Sequence, residues 1–211
     1  MEQIKIEDFT KFIEENKGKR KFKQSVELAV NFKGIDFNKQ DNKLNLEVNL
    51  PHGKGKVKKL GLFATEKTLI ENAEKLGIEV FDGAKLDALA GDSASMNNLL
   101  NYDLIAQQSL MPNIARFLGQ FLGPRNKMPK PLVGNMTLTA ISNEMTKRIT
   151  IKTKGKNLPT VHCVVGSEDI EPKKLYENMH EVLNTIVKKI GQNRIKSAYI
   201  KLSMSKPVRV V

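Results

Sequence analysis

The adjacent residues His162 and Cys163 place a potential base beside a potential nucleophile, the pairing that covalent catalysis needs. Neighbouring residues on a strand point to opposite faces, so in an extended stretch these two side chains cannot easily pair. A buried structural cysteine is the favoured interpretation. Because Cys163 is the only cysteine, no internal disulfide can form, which fits a reducing cytosol.

Other signatures of enzyme chemistry are weak. Gly53-Lys54-Gly55 lacks a third glycine at dinucleotide-binding spacing, and no phosphate-binding Gly-Lys-Ser/Thr motif occurs in the sequence. None of the three histidines has a His or Cys partner at the spacing of metal ligands. We therefore expect no catalytic residues, no metal and no cofactor.

Signals for RNA binding are stronger. The run Lys17–Lys23 packs five cations around Phe22, with Lys21 and Lys23 as its immediate neighbours. Cations neutralise phosphates, and an exposed aromatic ring stacks on bases. The alternative is that Phe22 belongs to the core and leads into a strand.

Two further basic runs are present. The run His52–Lys59 contains four lysines and two glycines, and it either touches phosphate or forms a solvated hinge. Near the C-terminus, cations that include Lys201 and Lys206 flank Ser197 and the triplet Ser203-Met204-Ser205. Small hydroxyl side chains allow close approach and bond phosphates or 2′-hydroxyls.

The distribution of charge suggests how the chain is organised. Its 35 Lys+Arg and 23 Asp+Glu give a net charge of +12, which favours a polyanionic partner. Residues 1–64 carry +5, residues 65–150 carry zero and residues 151–211 carry +7. This change in net charge between segments predicts a middle domain, 65–150, inserted into a discontinuous domain formed by 1–64 and 151–211.

Hydrophobic patterning gives each segment a fold class. The chain ends contain alternating apolar runs typical of strands, a helix after Asp8 as possible N-cap, and a long amphipathic helix from Pro172 to Gly191. They predict an α+β layer with one antiparallel sheet covered on one face. The middle alternates strand and helix, which predicts a Rossmann-like parallel α/β domain. No apolar run is long enough to predict a transmembrane helix.

Three motifs resemble the ribosomal protein L-one family in its archaeal form. They are, in chain order, Leu50-Pro51-His52-Gly53, the run Leu122–Pro131 (LGPRNKMPKP), and Ala198–Met204 (AYIKLSM). The match continues in order along essentially the whole chain. Where the family usually has Thr-Met-Gly-Pro, this chain has Ser203-Met204-Ser205-Lys206, which keeps a hydroxyl and replaces the glycine.

The resemblance implies a two-domain protein of the mobile side stalk of the large ribosomal subunit. It implies binding to large-subunit ribosomal RNA, help in releasing deacylated tRNA from the exit site, and repression of its own messenger RNA. It also implies a cytoplasmic location on the ribosome, no membrane partner and a monomeric state off the ribosome. Family RNA contacts fall here on the residues Phe22, Glu27, Ser197, Ser203, Met204 and Ser205.

Two other functions remain open from the sequence. The middle segment could bind a nucleotide in an enzyme whose basic ends hold an acidic substrate, although the missing phosphate-loop glycines count against it. The chain could also be a scaffold that binds protein partners without RNA. Nucleotide binding would support the enzyme, and nuclease-sensitive co-purification would separate the RNA-binding protein from the scaffold.

Overall fold

The computed structural model describes residues 4–37, 39, 42–55, 59–125, 127–132, 138–153 and 158–211. The chain divides into two compact units, Met1–Lys56 with Thr146–Val211, and Val57–Met145. We call them the terminal unit and the middle unit. Each hydrophobic cluster draws its residues from one unit only.

The described elements are numbered in chain order. The strands are β1 (Ser25–Phe32), β2 (Asn45–Asn49), β3 (Lys59–Ala64), β4 (Glu79–Asp82), β5 (Tyr102–Gln107), β6 (Lys130–Leu132), β7 (Arg148–Lys152), β8 (Thr160–Ser167), β9 (Ile195–Leu202) and β10 (Val208–Arg209). The helices are α1 (Ile6–Asn16), α2 (Lys67–Lys75), α3 (Leu86–Gly91), α4 (Ser93–Leu99), α5 (Met111–Leu122), α6 (Leu138–Lys147) and α7 (Pro172–Ile190).

The terminal unit is built around β1, whose every second residue from Val26 to Phe32 is buried, as the period-two pattern predicted. β1 pairs antiparallel with β8 on one side and with β9 on the other. With β10 at the far edge, the sheet has the order β10-β9-β1-β8. The strands of the two chain ends thus share one sheet.

Helices α1 and α7 supply apolar side chains to the same core as the sheet. Phe9 and Ile13 of α1 pack there with the stripe of α7 that begins at Leu175. α7 ends at Gly191, whose φ of 92° is readily adopted by glycine, as the sequence predicted. The predicted start of α1 is wrong: Lys5 is the N-cap, and Asp8 lies within the first turn, where its charge suits the helix dipole.

The terminal unit also contains a ribbon, β2 paired antiparallel with β7, that is separate from the four-stranded sheet. Its apolar residues, among them Val48 and Ile151, join the same core. The prediction of a single antiparallel sheet is therefore wrong. Alternating residues show that one face of a strand is buried, but they do not show which strand is its partner.

The middle unit has a parallel sheet of order β4-β3-β5-β6. One cluster packs α3, α4 and α5 against it, and a second packs α2 and α6. β3 falls within the predicted segment 1–64, but its hydrogen bonds to β4 and β5 place it in this sheet. Residues 148–150 fall within the predicted segment 65–150, but they pair with β2. The sequence assigned these two short stretches to the wrong segments.

Among the described residues, no helix combines the length and apolar character needed to cross a lipid bilayer.

We predict that the terminal unit folds without the middle unit. The amide of Lys54 donates to the carbonyl of Thr146 at 3.2 Å, so a short glycine-serine linker can join residue 56 to residue 146. Because the core of this unit contains no middle-unit residue, the joined protein should unfold cooperatively in urea with native-like circular dichroism. A gradual, non-cooperative transition in the joined protein, beside a cooperative one in the full chain, would contradict the prediction.

Candidate nucleic-acid interface

Gln24 brings together three segments that are distant in sequence. Its side chain is 2% exposed, and its Nε2 donates to the carbonyl of Asn16 at 3.1 Å and to Oε2 of Glu168 at 3.2 Å. Its Oε1 accepts from the amide of Met204 at 3.2 Å. The end of α1, the turn after β8 and the turn after β9 therefore meet at one buried amide group.

The Glu168 carboxylate is buried below the basic loop that precedes β1. It is 5% exposed and accepts from Gln24 and from the amide of Gly18, the latter at 3.4 Å. A buried carboxylate needs such donors, so this group fixes the path of the loop. Next to it, Lys23 pairs with Asp169 at 2.7 Å, and this hydrogen bond raises the pKa of Lys23. Lys23 is therefore charged at neutral pH.

Two large apolar side chains lie at the surface, close to this polar cluster in sequence or through a hydrogen bond. Phe22 is 52% exposed and Met204 is 57% exposed. Phe22 lies two residues before Gln24, and the amide of Met204 donates to the Gln24 side chain. The sequence alone did not decide whether Phe22 is buried in the core or exposed. In the structure it lies at the surface beside the exposed Lys21. Its ring is available for stacking.

The turn after β9 orients Met204. The amide of Ser203 donates to the carbonyl of Ser25 at 3.0 Å, and its hydroxyl accepts from the amide of Ser25 at 3.2 Å. The hydroxyl of Ser205 accepts from the amide of Leu202 at 2.9 Å. Both hydroxyls thus bond the main chain inside the protein, and Met204 is the exposed side chain of the turn.

The face of the four-stranded sheet that points away from the core is polar. Glu27 on β1 lies opposite Lys201 on β9. Ser197, which is 7% exposed, accepts a hydrogen bond at 3.0 Å from Nδ2 of Asn31. The Oδ1 of Asn31 in turn accepts from the hydroxyl of Thr160 at 2.9 Å. The predicted residues Glu27, Ser197 and Lys201 therefore share one face.

Sequence reasoning missed Asn31, Thr160 and Asn178. Asn31 and Thr160 could have been found from strand alternation, because the positions between the buried residues lie on the face of the sheet that points away from the core. Asn178 is a lone polar residue in the apolar stripe of α7 and is fully buried. It accepts from the amide of His52 at 3.1 Å and donates to the carbonyls of Gly53 and Val165 at 3.0 and 2.9 Å. It fixes the turn at Leu50–Gly53.

The second basic run, His52–Lys59, is described only in part because residues 56–58 lie outside the described residues. The ring of His52 contacts the carboxylate of Glu177 on α7. Gly53 has a φ of 69°, which favours glycine, and the turn that it closes is held to α7 through Asn178. The described start of this run is thus an anchored turn.

The strand order of the middle unit reverses between β3 and β5, and polar side chains bond one another at this position. There the Oε1 of Gln107 accepts from the amide and the hydroxyl of Thr65, each at 3.2 Å. Its Nε2 donates to Glu66 at 2.6 Å, at the N-cap of α2. In doubly wound folds this position receives a phosphate, which the Glu66 carboxylate would repel.

The adjacent residues Cys163 and His162 are not arranged as a nucleophile and its base. Burial raises the pKa of the Cys163 thiol to about 12, so it carries almost no thiolate at neutral pH. The side chain of Cys163 is buried in the core, while His162 is exposed. Within the ranges that the structure describes, no three His, Cys, Asp or Glu side chains are grouped as metal ligands.

Comparison with known proteins gives a family. The sequence profile of the ribosomal protein L1p/L10e family matches residues 12–206. The chain belongs to this family. A relative from Thermococcus kodakarensis, named large ribosomal subunit protein uL1, is 44% identical over 90% of this chain and 89% of its own length. One of the same name from Methanothermobacter thermautotrophicus is 37% identical over 99% of this chain and all of its own length.

Membership of the L1p/L10e family agrees with the resemblance seen in the sequence, and these relatives carry the name of a ribosomal protein, not of an enzyme. The motif at Leu122–Pro131 belongs to the middle unit. In its described part, Lys127 Nζ donates to the carbonyl of Tyr102 at 2.9 Å and pairs with Asp103 at 3.2 Å. Arg125 lies 4.0 Å from the ring centroid of Phe121. The motif thus fixes the segment after α5 to the start of β5, an inner strand of the sheet.

We predict that Gln24→Leu destabilises the terminal unit by about 2–4 kcal/mol, because buried partners at Asn16, Glu168 and Met204 lose hydrogen bonds. The free energy of unfolding from urea titrations measures this loss. The exposed Gln192 provides a matched control, and Gln192→Leu should stay within about 0.5 kcal/mol of wild type. Equal effects of the two substitutions would show that Gln24 does not hold the three segments.

Proposed function

We propose that this chain is a large-subunit ribosomal protein whose terminal unit binds ribosomal RNA. The observation that carries the proposal is a pair of exposed apolar side chains: Phe22, two residues before Gln24, and Met204, whose amide donates to Gln24. Lys21, Lys23 and Lys206 are close to them in sequence. The names of the relatives, which place them in the large ribosomal subunit, support the same partner. Exposed apolar side chains cost hydration free energy unless a partner covers them.

The charges of the two units support the terminal unit as the one that binds RNA. The terminal unit has 26 Lys+Arg and 14 Asp+Glu, whereas the middle unit has 9 of each. The whole net charge of +12 therefore lies on the terminal unit. Because phosphate attraction supplies much of the affinity for RNA, this unit should provide most of the binding. We propose that it is a discontinuous RNA-binding domain with the middle unit as an inserted Rossmann-like domain.

The proposed contacts differ in their chemistry. Phe22 and Met204 cover bases or riboses with apolar surface, while Lys21, Lys23 and Lys201 attract phosphates. The main-chain amides of Ser203, Met204 and Ser205 all donate inside the protein, and the two hydroxyls maintain the shape of the turn through Ser25 and Leu202. Ser197 acts through the row that it forms with Asn31 and Thr160, because little of its own surface is exposed.

Further roles rest on the family resemblance. In the cytoplasmic ribosome, we propose that the chain belongs to the mobile side stalk and assists release of deacylated tRNA from the exit site. We also propose that it represses translation of its own messenger RNA. An interface that recognises ribosomal RNA can bind a messenger segment of the same shape, so one surface serves both purposes.

The two other functions have less support. A nucleotide-binding enzyme would need the position between β3 and β5 that Gln107, Thr65 and Glu66 occupy. A scaffold that binds only proteins does not account for a net charge of +12 concentrated on one unit.

We expect Met204→Ala and Ser203→Ala to weaken binding to a large-subunit ribosomal RNA fragment by about tenfold, and Lys206→Ala by less than about threefold. The first two remove apolar cover or the shape of the turn, whereas Lys206 is exposed and its attraction is screened. Filter-binding titrations at two salt concentrations measure this. The Lys206→Ala effect should shrink at high salt and the Met204→Ala effect should persist. A larger effect of Lys206→Ala would contradict the proposed interface.

We expect the chain to inhibit translation of a reporter that carries the leader of its own messenger RNA. Adding the ribosomal RNA fragment should restore translation, because both RNAs compete for one surface. Met204→Ala should need about tenfold more protein for equal inhibition, the same factor as for ribosomal RNA. Inhibition that Met204→Ala leaves unchanged, or that the fragment does not relieve, would argue against a shared surface.

A further inference from the structure

One carboxylate oxygen holds both ends of the loop between α1 and β1, residues 17–24, which we call the basic loop. Oε2 of Glu168 accepts a hydrogen bond from the amide of Gly18 at 3.4 Å and another from Nε2 of Gln24 at 3.2 Å. Gly18 lies two residues after α1, and Gln24 lies directly before β1. Gln24 also donates to the carbonyl of Asn16 at 3.1 Å, which closes the base of the loop. We call the two hydrogen bonds to Glu168 the Glu168 clamp.

The centre of the basic loop has no comparable anchor. Residues 19–22 make no hydrogen bond or ion pair with any other residue that the structure describes, and their side chains are exposed. Lys23 pairs with Asp169 at 2.7 Å, but the two side chains are 71% and 44% exposed, so solvent and salt weaken this pair. The buried Glu168 clamp is therefore the stronger restraint on the loop.

Glu168 is itself held in place by the sheet. Its amide donates to the carbonyl of Gln24 at 3.0 Å, and the preceding residue, Ser167, pairs with Ser25 where β8 meets β1. The side chain of Glu168 is 5% exposed, so a bound RNA could touch little of it. Through Gln24, which also accepts from the amide of Met204, the clamp connects the basic loop to the turn after β9.

The restraint affects binding because the basic loop carries five cations in the seven residues 17–23, and like charges repel one another. With its ends free, such a loop would extend and sample many conformations, and binding to RNA would have to remove that freedom. Fixing both ends removes part of this entropy before the RNA arrives. Phe22 lies between the two fixed ends, so the clamp limits the positions that its ring can reach.

We propose that Glu168 is a positioning residue for RNA binding, whose carboxylate oxygen holds both ends of the basic loop in the conformation that presents Phe22 to the RNA. The inference rests on the proposed RNA-binding function and adds a residue that acts on the RNA through the loop. Charge alone would have the opposite effect. Removing an acid from a unit with a net charge of +12 strengthens its attraction for a polyanion, whereas loss of the clamp weakens binding.

Two substitutions of similar size separate the hydrogen-bond acceptor from the charge. Glu168→Gln and Glu168→Met both remove the negative charge, but only glutamine keeps an oxygen that can accept from Gly18 and Gln24. The probe is the large-subunit ribosomal RNA fragment that the full chain protects from ribonuclease, titrated by filter binding. Because the clamp uses one oxygen, Glu168→Gln should bind within about twofold of wild type, and Glu168→Met about tenfold more weakly. Glu14→Gln, on the exposed surface of α1, controls for the lost charge and should not weaken binding.

Trypsin cleavage without RNA is a second readout, which reports on the loop itself. Trypsin cuts after Lys and Arg, and cleavage of a folded protein requires local opening of the chain. Glu168→Met should raise the cleavage rate within residues 17–23 by about fivefold or more, and Glu168→Gln should leave it near the wild-type rate. Cleavage after Lys188, at the exposed end of α7, controls for global unfolding and should not change. If Glu168→Met does not fold, Glu168→Ala replaces it, with the same expected results.

Three outcomes would overturn the positioning role and leave RNA binding intact. The first is equal affinity of Glu168→Gln and Glu168→Met, whether tighter or weaker than wild type, because the acceptor would then have no effect. The second is weaker binding by Glu168→Met without faster cleavage of the basic loop, and the third is faster cleavage without weaker binding. If the wild-type chain protects no fragment of the ribosomal RNA, the RNA-binding function itself is wrong.

Discussion

The terminal unit depends on the pairing of β1 with two strands from the other end of the chain. β1 hydrogen-bonds to β8 and β9 along its two edges, so its register joins residues 25–32 to residues 160–167 and 195–202. Such long-range pairing costs loop-closure entropy, which the shared core of α1, α7 and the sheet must offset. It also explains how a chain can leave this unit near Lys54 and return at Thr146 beside the same position.

The same pairing places the candidate interface. Because β9 runs beside β1, the turn that follows β9 ends next to the residues that precede β1, and Gln24 joins the two. A buried amide that satisfies three partners fixes local geometry more strictly than apolar packing, because any displacement leaves a buried polar group without a bond. Met204, whose amide donates to Gln24, is thereby held in place, and a side chain held before binding loses less entropy when a partner contacts it.

Sequence patterns predicted much of this fold, because the spacing of apolar residues along a strand or helix shows which of its faces is buried. The alternation in β1 and the stripe of α7 correspond to the observed buried faces. The pairing of β2 with β7 was not predicted, because alternation of apolar and polar residues does not show which strand a given strand pairs with. β10 has two residues, too few to show a period. The start of α1 was misplaced at Asp8 because a capping side chain was expected, whereas Lys5 makes no such bond.

The site was predictable in its residue types but not in its arrangement. Charge and hydroxyl clusters indicated Phe22, Ser203 and Met204, yet nothing in the spacing placed Gln24 or Glu168 between them. Their importance comes from burial, which composition does not reveal. Burial also decides the role of hydroxyls: those of Ser203 and Ser205 bond the main chain. The exposed side chains of Phe22 and Met204, and not these hydroxyls, are then the groups left for a ligand to contact.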